Sequence, residues 1–341
     1  MTASQALIQS LWTEVASDLH LRSGQAPMVR VDGRLRPIEG AAPTPAEFIE
    51  AWREEVLSPD ERDRYARCGA ADAAWQAPGQ RWRLNFFKSA AGGACVARRI
   101  ASQVPDCASL GVPEVVLSAL QHRDGLITVT GPTGSGKSTT LAAMVQALHQ
   151  SRPVHTITLE DPIEYQHEVK QGLVTQRQVG RDTPSFSQGL RDALREDPDV
   201  ILVGELRDAE SIALALSAAE TGHLVLTTLH TRSAQGSITR IIDSLPPEQQ
   251  AQARAQLAEV LRLSLSQALW PRADGHGRVA AFEVLVATPA IQHLIREQKI
   301  HQIDNVMQTQ SQLGMQTMAK ALTQLQQRGA ITPSVSAATN Q

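Results

Sequence analysis

Cysteine, aromatic side chains and long apolar runs are all scarce in this chain of 341 residues. The three cysteines, Cys68, Cys95 and Cys107, are odd in number and form no C-x-x-C pair, which supports neither a disulfide framework nor a cysteine-based zinc site. The most apolar stretch, residues 212–219, is far shorter than the ~20 residues that span a bilayer. The first residues also lack the basic region of a signal peptide. We therefore expect a protein of the reducing cytoplasm.

Charge of one sign is not in excess either. The chain has 32 lysines and arginines against 35 aspartates and glutamates, a formal charge of -3, and aromatic residues make up 4% of it. Nucleic acids and anionic membranes attract clustered positive charge, and tracking of a single strand also needs aromatic stacking platforms. The composition therefore predicts no nucleic-acid partner and no general affinity for membranes.

The length indicates about two domains of ~150 residues each. Residues 1–101 mix short helices and hairpins, with an amphipathic helix predicted over 7–15 and hairpins over 28–38 and 81–100. Prolines and glycines interrupt the pattern at 102–113, which is predicted to be an interdomain linker. The first domain is therefore expected to be α+β.

After the linker the pattern changes to an alternation of strands and helices. Short β-branched or leucine-rich runs occupy residues 127–130, 154–159, 200–203 and 224–229. This alternation is typical of a parallel sheet buried on both faces, so residues 114–331 are predicted to form an α/β domain. Its part beyond Pro247 is expected to be mostly helical, with one strand at 279–286. Residues 332–341 are small and polar and are expected to form a flexible tail.

One glycine-rich segment fits the P-loop pattern, with an apolar strand before it and a helix after it. In such a loop the backbone amides wrap a polyphosphate, the lysine reaches the β- and γ-phosphates, and the serine hydroxyl coordinates Mg²⁺. An accidental match in a chain of this length is about a one-in-a-hundred event. The sequence therefore predicts a nucleotide polyphosphate as ligand and Mg²⁺ as cofactor, with Ser138 as metal ligand. The predicted nucleotide-binding residues are Gly131, Pro132, Thr133, Gly134, Ser135, Gly136, Lys137, Ser138 and Thr139.

A second apolar run ends in an acid, as a Walker-B strand does. Residues 200–203 are followed by Gly204 and Glu205. A carboxylate at the carboxyl end of such a strand can polarise the attacking water or hold a water bound to magnesium. Glu205 is therefore the candidate catalytic base. The alternative is that Glu205 is only a surface acid at the end of a strand.

Other polar residues follow neighbouring strands of the same predicted sheet. Glu160, Asp161 and Glu164 follow the run 154–159, and His230 follows the run 224–229. Carboxyl ends of strands form the ligand crevice of a doubly wound sheet, so these side chains are expected to converge on the phosphates.

His223 precedes the run 224–229 and so enters from the opposite end of that strand. A zinc site shared with His230 is excluded, because seven residues of extended chain span ~20 Å. Two roles remain open for His223, a structural hydrogen bond and nucleotide binding.

Four segments taken together resemble a known family. Residues 131–138, 158–164, 194–205 and 219–230 are similar to the Walker A, Asp, Walker B and His boxes of the secretion ATPase superfamily, most of all to the PilT-type type IV pilus retraction ATPases. The resemblance implies a RecA-like ATPase domain with C-terminal helices, preceded by a smaller PAS-like domain. It also implies a homohexameric ring, with catalytic roles for Glu205, Glu164 and His230 and nucleotide contacts from Glu160 and Asp161.

In such a ring, basic residues of one subunit complete the ATP site of the next. Arg81 and Arg83 lie in a segment similar to the one that supplies these arginines in the family, and Arg195 and Arg207 flank the Walker-B strand. A guanidinium suits this role because its fixed, permanent charge can stabilise the γ-phosphoryl oxygens. A surface ion pair is the alternative for each of them.

The resemblance further implies a function at the cytoplasmic face of the bacterial inner membrane, reached only through a pilus platform protein. Assembly ATPases of the superfamily carry a further N-terminal domain and usually a four-cysteine zinc subdomain, and this chain shows neither. We therefore expect a motor for pilus retraction. An accessory or regulatory ATP-binding paralogue is the main alternative, and a nucleic-acid translocase is disfavoured.

Overall fold

The computed structural model describes residues 7–8, 12, 16–31, 34–77, 80–100 and 103–332. The contacts divide the chain into two compact units, residues 1–102 and 103–341. Within the described ranges, no helix has the length and apolar composition needed to cross a membrane.

The first unit is built on a six-stranded antiparallel sheet. Its strands are β1 (Asp18–Arg22), β2 (Met28–Val31), β3 (Arg34–Pro37), β4 (Ala70–Ala77), β5 (Gln80–Ser89) and β6 (Gly92–Ile100). They are arranged in the order β3-β2-β1-β6-β5-β4. Two helices, α1 (Ala46–Val56) and α2 (Pro59–Cys68), lie between β3 and β4 in the chain.

Strand alternation and helix capping explain this unit. Along β5, Trp82, Leu84 and Phe86 are buried, because successive side chains of a strand point to opposite faces. Helix α2 begins with a capping box in which Ser58 and Glu61 each satisfy the other's backbone amide.

The predicted hairpins are present in this unit. β2 pairs with β3, and β5 pairs with β6. The predicted turn of the first hairpin, residues 32–33, and most of the predicted opening helix lie outside the described residues. The PAS-like character of the unit stays a prediction.

The second unit contains a seven-stranded sheet with helices between its strands. Its strands are β7 (Gly125–Thr130), β8 (His155–Glu160), β9 (Leu173–Gln178), β10 (Val200–Val203), β11 (Leu224–Leu229), β12 (Leu261–Pro271) and β13 (Arg278–Val286). The first helices are α3 (Glu114–Ala119), α4 (Lys137–Ser151), α5 (Phe186–Ala193) and α6 (Ala209–Glu220). The remaining helices are α7 (Ala234–Asp243), α8 (Pro247–Val260), α9 (Pro289–Arg296), α10 (Ile303–Thr309) and α11 (Met318–Gln327). Short 3-10 turns occupy Ile300–Gln302 and Ser311–Leu313.

The sheet order is β13-β12-β7-β11-β10-β8-β9, and all neighbours are parallel except β12 and β13. Every residue of β7, β10 and β11 is buried. Neighbouring residues of these strands belong to different hydrophobic clusters, for example Ile201 to one and Leu202 to the other. The sheet is therefore covered on both faces, and the prediction of an α/β domain is confirmed.

Three features differ from the sequence-based expectation. Strand β9 was not expected, and the region after Pro247 contains a second strand, β12, which pairs in parallel with β7. The linker was predicted over 102–113, and its residues 103–113 belong to the second unit, where Cys107 and Val112 are buried in one of the hydrophobic clusters. Of the predicted tail only Thr332 lies in the described part of the chain.

Candidate active site

The P-loop connects β7 to α4, and its glycines are required by their backbone. Gly134 and Gly136 have φ of 78° and 87°, values that side chains with a Cβ rarely adopt. Gly136 occupies the N-cap of α4, where no side chain makes a capping hydrogen bond. The amides at the start of this helix therefore remain directed at a loop that a polyphosphate can fill.

Lys137 lies inside this loop and is only 8% exposed. Its Nζ donates hydrogen bonds to the carbonyl oxygens of Gly131 at 3.0 Å and Pro132 at 3.1 Å. Burial lowers the pKa of Lys137, and the negative charges of Glu205 and Glu164 oppose that shift. The two predicted catalytic carboxylates therefore lie within electrostatic range of the P-loop ammonium.

Glu205 follows β10, and its carboxylate makes two contacts. It forms an ion pair with Arg207, and its Oε2 lies 3.3 Å from His230 Nε2. The hydrogen bond that Arg207 donates to Glu205 raises the pKa of Arg207, and the charges of Glu205 and Asp161 add to the effect. Glu205, Arg207 and His230 thus form one cluster at the carboxyl edge of the sheet.

The residues after β8 divide into two groups. Glu160 accepts hydrogen bonds from Thr158 Oγ1 at 2.7 Å and from Gln176 Nε2 at 3.1 Å, and burial raises the pKa of its carboxyl group. Its carboxylate is therefore engaged with β8 and β9 and supports the loop that follows it. Glu164 instead lies in the field of Lys137.

The parallel register explains why these residues meet. Leu159 of β8 pairs with Val203 of β10, and Leu229 of β11 pairs with Thr130 of β7. The residues that follow these strands consequently share one edge. Thr130 Oγ1 also donates to the carbonyl oxygen of Thr231 at 2.8 Å, which ties the start of the P-loop to the segment after His230.

Two predicted nucleotide-binding residues lie at the opposite edge of the sheet. His223 precedes β11, and its Nδ1 lies 3.0 Å from the carbonyl oxygen of Ala218, which fits the structural alternative. Arg195 is exposed and lies before β10, whereas Arg207 follows it. The structure therefore does not bring His223 or Arg195 to the P-loop of their own chain, because the two ends of a parallel strand face opposite edges.

Arg81 and Arg83 lie on β5 of the first unit. Both alternate with the buried Trp82 and Leu84, so their side chains start from the other face of that sheet. Arg83 Nη2 lies 3.7 Å from Asp72 Oδ1, an ion pair of the kind given as the alternative for these arginines.

Two residues of the site were not predicted from the sequence. Gln267 of β12 donates from Nε2 to the Ser135 carbonyl oxygen at 2.7 Å. The Tyr165 hydroxyl lies 2.9 Å from Thr139 Oγ1 and so joins the loop after β8 to the first turn of α4. In the sequence, Gln267 is marked only as a polar amide within the apolar run 261–269. Tyr165 is marked only as a tyrosine beside Glu164.

The donor set at this edge is compatible with a hydrated magnesium ion. Ser138, the second residue of α4, is exposed beside the buried Lys137. Mg²⁺ in phosphate sites keeps several waters and takes one or two protein ligands together with phosphate oxygens. Among the described residues no group of three or more His, Cys, Asp or Glu could hold a metal by itself.

Comparison with known proteins agrees with this geometry. A sequence model of the family described as type II/IV secretion system protein matches residues 2–332. The type IV pilus retraction ATPase PilT of Pseudomonas aeruginosa is 47% identical over 317 residues, which cover 93% of this chain and 92% of the relative. A twitching motility protein of Neisseria gonorrhoeae is 44% identical over 308 residues, covering 90% of this chain and 82% of the relative.

A solved structure agrees as well. The crystal structure of the pilus retraction motor PilT with bound ADP matches at a TM-score of 0.87 and 42% identity, and it covers 98% of this chain and 95% of that chain. These matches confirm the resemblance to PilT-type ATPases that the four boxes predicted. The chain therefore belongs to the type II/IV secretion system protein family and has its RecA-like ATPase fold.

Proposed function

We propose that this protein is a Mg²⁺-dependent ATPase motor that powers type IV pilus retraction. The observation that carries the proposal is the convergence of Lys137, Glu205 and Glu164 at an open helix N-terminus. A buried cation facing two acids suits a site for a bound polyphosphate and a water that must be activated. The 47% identity to a retraction ATPase over most of both chains supports the biological role.

Each side chain has a distinct task in this proposal. The amides of the P-loop bind the phosphates, and Lys137 exchanges its bonds to Gly131 and Pro132 for bonds to phosphate oxygens. Glu205 orients the attacking water and takes its proton, while Glu164 and His230 shape the surroundings of that water. A magnesium ion at Ser138 would neutralise charge on the phosphates.

The assembly we propose is a homohexamer. In the ring, Arg81 and Arg83 of one subunit would stabilise phosphate charge in the site of the next. His223 and Arg195, which face the opposite edge of their own sheet, would contact nucleotide only in such an arrangement. We further propose that the ring acts in the cytoplasm, on a platform protein of the bacterial inner membrane, without a nucleic-acid partner.

Two experiments test the function. Lys137→Ala should abolish ATP binding and phosphate release by the purified protein, whereas Lys299→Ala, an exposed lysine before the 3-10 turn Ile300–Gln302, should leave both unchanged. Undiminished turnover by Lys137→Ala would contradict the assignment of the site.

In the host, deletion of the gene should give hyperpiliated, non-twitching cells. Bald cells would indicate a role in assembly, and unchanged cells would indicate an accessory role.

A further inference from the structure

Gln267 is a buried amide that is hydrogen-bonded at one end to the nucleotide loop and at the other to helix α4. The side chain is 3% exposed. Its Nε2 donates to the Ser135 carbonyl oxygen at 2.7 Å, and its Oε1 accepts from Thr140 Oγ1, also at 2.7 Å. The first of these partners lies within the loop, and the second lies in the first turn of α4.

The backbone of β12 is equally close to the loop. A Cβ added to Gly131 would lie 2.3 Å from the carbonyl oxygen of Gln267, and a Cβ added to Gly136 would lie 2.9 Å from Gln267 Nε2. Gly131 is therefore required by the approach of the Gln267 backbone, and Gly136 by its own φ of 87°.

The peptide geometry connects Gln267 to phosphate binding. In a planar trans peptide the C=O and the following N–H point in opposite directions. Because the Ser135 carbonyl is directed at Gln267, the N–H of Gly136 is directed away from β12, toward the side of the loop that a phosphate would occupy. Without the hydrogen bond from Gln267, rotation of this peptide would turn a carbonyl oxygen toward the phosphates.

We propose that Gln267 is a positioning residue of the ATP site, which holds the Ser135–Gly136 peptide and the start of α4 in the orientation that binds phosphate. The inference rests on the proposed nucleotide site and adds a residue outside the four boxes. It also connects β12 directly to the phosphate-binding loop. The adjacent Ser266 donates from Oγ to the Arg232 carbonyl oxygen at 3.1 Å, so the same strand contacts the segment after His230.

The first test replaces the amide by an apolar side chain of similar length. Gln267→Met should weaken binding of a fluorescent ATP analogue at least ~10-fold, the effect of losing two buried hydrogen bonds that orient the loop. Ser264→Ala is the matched control, since Ser264 is a buried polar residue of the same strand whose hydroxyl contacts Thr128 and Ser237. That variant should lower the melting temperature and leave the affinity unchanged.

The second test uses a side chain that can be switched by pH. A protonated carboxyl group donates from one oxygen and accepts at the other, as the amide does, whereas a carboxylate only accepts. Burial raises a carboxyl pKa. The affinity of Gln267→Glu relative to the wild type should therefore recover as the pH falls from about 8 to about 6. A role in general stability alone would not produce this selective recovery of binding.

The outcomes separate the two proposals. If the wild type fails to bind the analogue, the proposed function is wrong. If the wild type binds and Gln267→Met binds equally well, the positioning role is overturned. Should Gln267→Met not fold, Thr140→Val, which removes one of the two bonds, should weaken binding, and Thr140→Ser, which keeps the hydroxyl, should restore it. Equal binding by both Thr140 variants would also overturn the inference.

Discussion

Glu205 forms an ion pair with Arg207, two residues further along the chain. The carboxylate therefore has a cationic partner, and its other contact is His230 at 3.3 Å. A general base must be free to meet the water that it deprotonates. We expect Arg207 to turn toward the phosphates when ATP binds, because phosphate offers the guanidinium a stronger, bidentate partner.

The first prediction separates binding from chemistry. Glu205→Gln keeps the size of the side chain but loses its basicity, so ATP binding should stay near normal while steady-state phosphate release falls at least ~100-fold. Glu164→Gln should show a milder loss, because Glu164 shapes the surroundings of the water and does not take its proton. Parallel assays of phosphate release and of analogue binding check both variants. If Glu164→Gln is inactive and Glu205→Gln is active, the roles assigned to the two carboxylates are reversed.

The second prediction concerns the Tyr165 hydroxyl, 2.9 Å from Thr139 Oγ1. Tyr165→Phe keeps the ring and removes this link between the loop after β8 and α4, so kcat/KM for ATP should fall about 5-fold, which corresponds to ~1 kcal/mol. The measurement is a double-mutant cycle with Thr139→Val, in which the second substitution should add little to the first.

The matched control for this cycle is Tyr65→Phe. Tyr65, the only other tyrosine of the chain, packs against Arg53 in the first unit. Its replacement should leave kcat/KM unchanged. Fully additive effects of Tyr165→Phe and Thr139→Val would show that the two hydroxyls do not act together.

Motif spacing predicted the centre of the site but not its supports. The P-loop, Glu205 and His230 could be placed because a buried parallel strand precedes each of them, and parallel strands bring their carboxyl ends to one edge. The same rule placed Glu160 there, yet Thr158 and Gln176 engage its carboxylate. A carboxylate at a strand end can either serve in the site or support the fold. The residues that fold against it decide which of these roles it has.

Strand β12 shows where local pattern fails. In residues 261–269, leucines occupy positions 261, 263, 265 and 269, and Gln267 takes the place of a leucine in that alternation. No turn signal separates this run from helix α8, so a mostly helical region after Pro247 was expected. The strand exists because it pairs with β7 in parallel and with β13 in antiparallel orientation. The alternation of leucines is itself a strand signal, but it does not reveal the pairing with β7, so the position of Gln267 beside the P-loop could not be assigned from the sequence.

The third prediction is a loss of stability in mild acid through His167. Burial lowers the pKa of His167 from 6.5 to about 4, and the charge of His149 adds to the shift. Between these values the unfolded chain binds the proton and the folded protein does not. Stability should therefore fall as the pH drops from about 6.5 toward about 4, by up to ~1.4 kcal/mol per pH unit for one proton.

The test of this prediction compares two histidines. His167→Gln should reduce the loss of melting temperature between pH 7 and pH 5, about the range in which an unfolded histidine takes up its proton. His301→Gln changes an exposed histidine and should retain the full wild-type loss. Identical pH profiles for His167→Gln and the wild type would contradict a contribution of His167.

The last prediction tests whether a site is completed by two subunits. Arg81 and Arg83 lie on the first unit, while Lys137 and Glu205 lie together in the second. If an arginine acts in the neighbouring site, the arginine variant, Arg81→Ala or Arg83→Ala, is inactive alone. The Glu205→Gln variant is also inactive alone. Mixed rings, however, contain interfaces that combine an intact arginine with an intact glutamate. About one quarter of the interfaces in a random equal mixture would be complete.

Phosphate release by such mixtures should therefore rise above that of either variant alone, with a maximum near equal proportions. The decisive control mixes Lys137→Ala with Glu205→Gln. Both residues serve the same P-loop of one chain, so every site in that mixture lacks one of them and no activity should return. Recovery with an arginine variant and none with Lys137→Ala would establish completion in trans. Absence of recovery at every ratio, with subunit exchange verified by energy transfer between labelled subunits, would contradict a role of Arg81 or Arg83 in the neighbouring site.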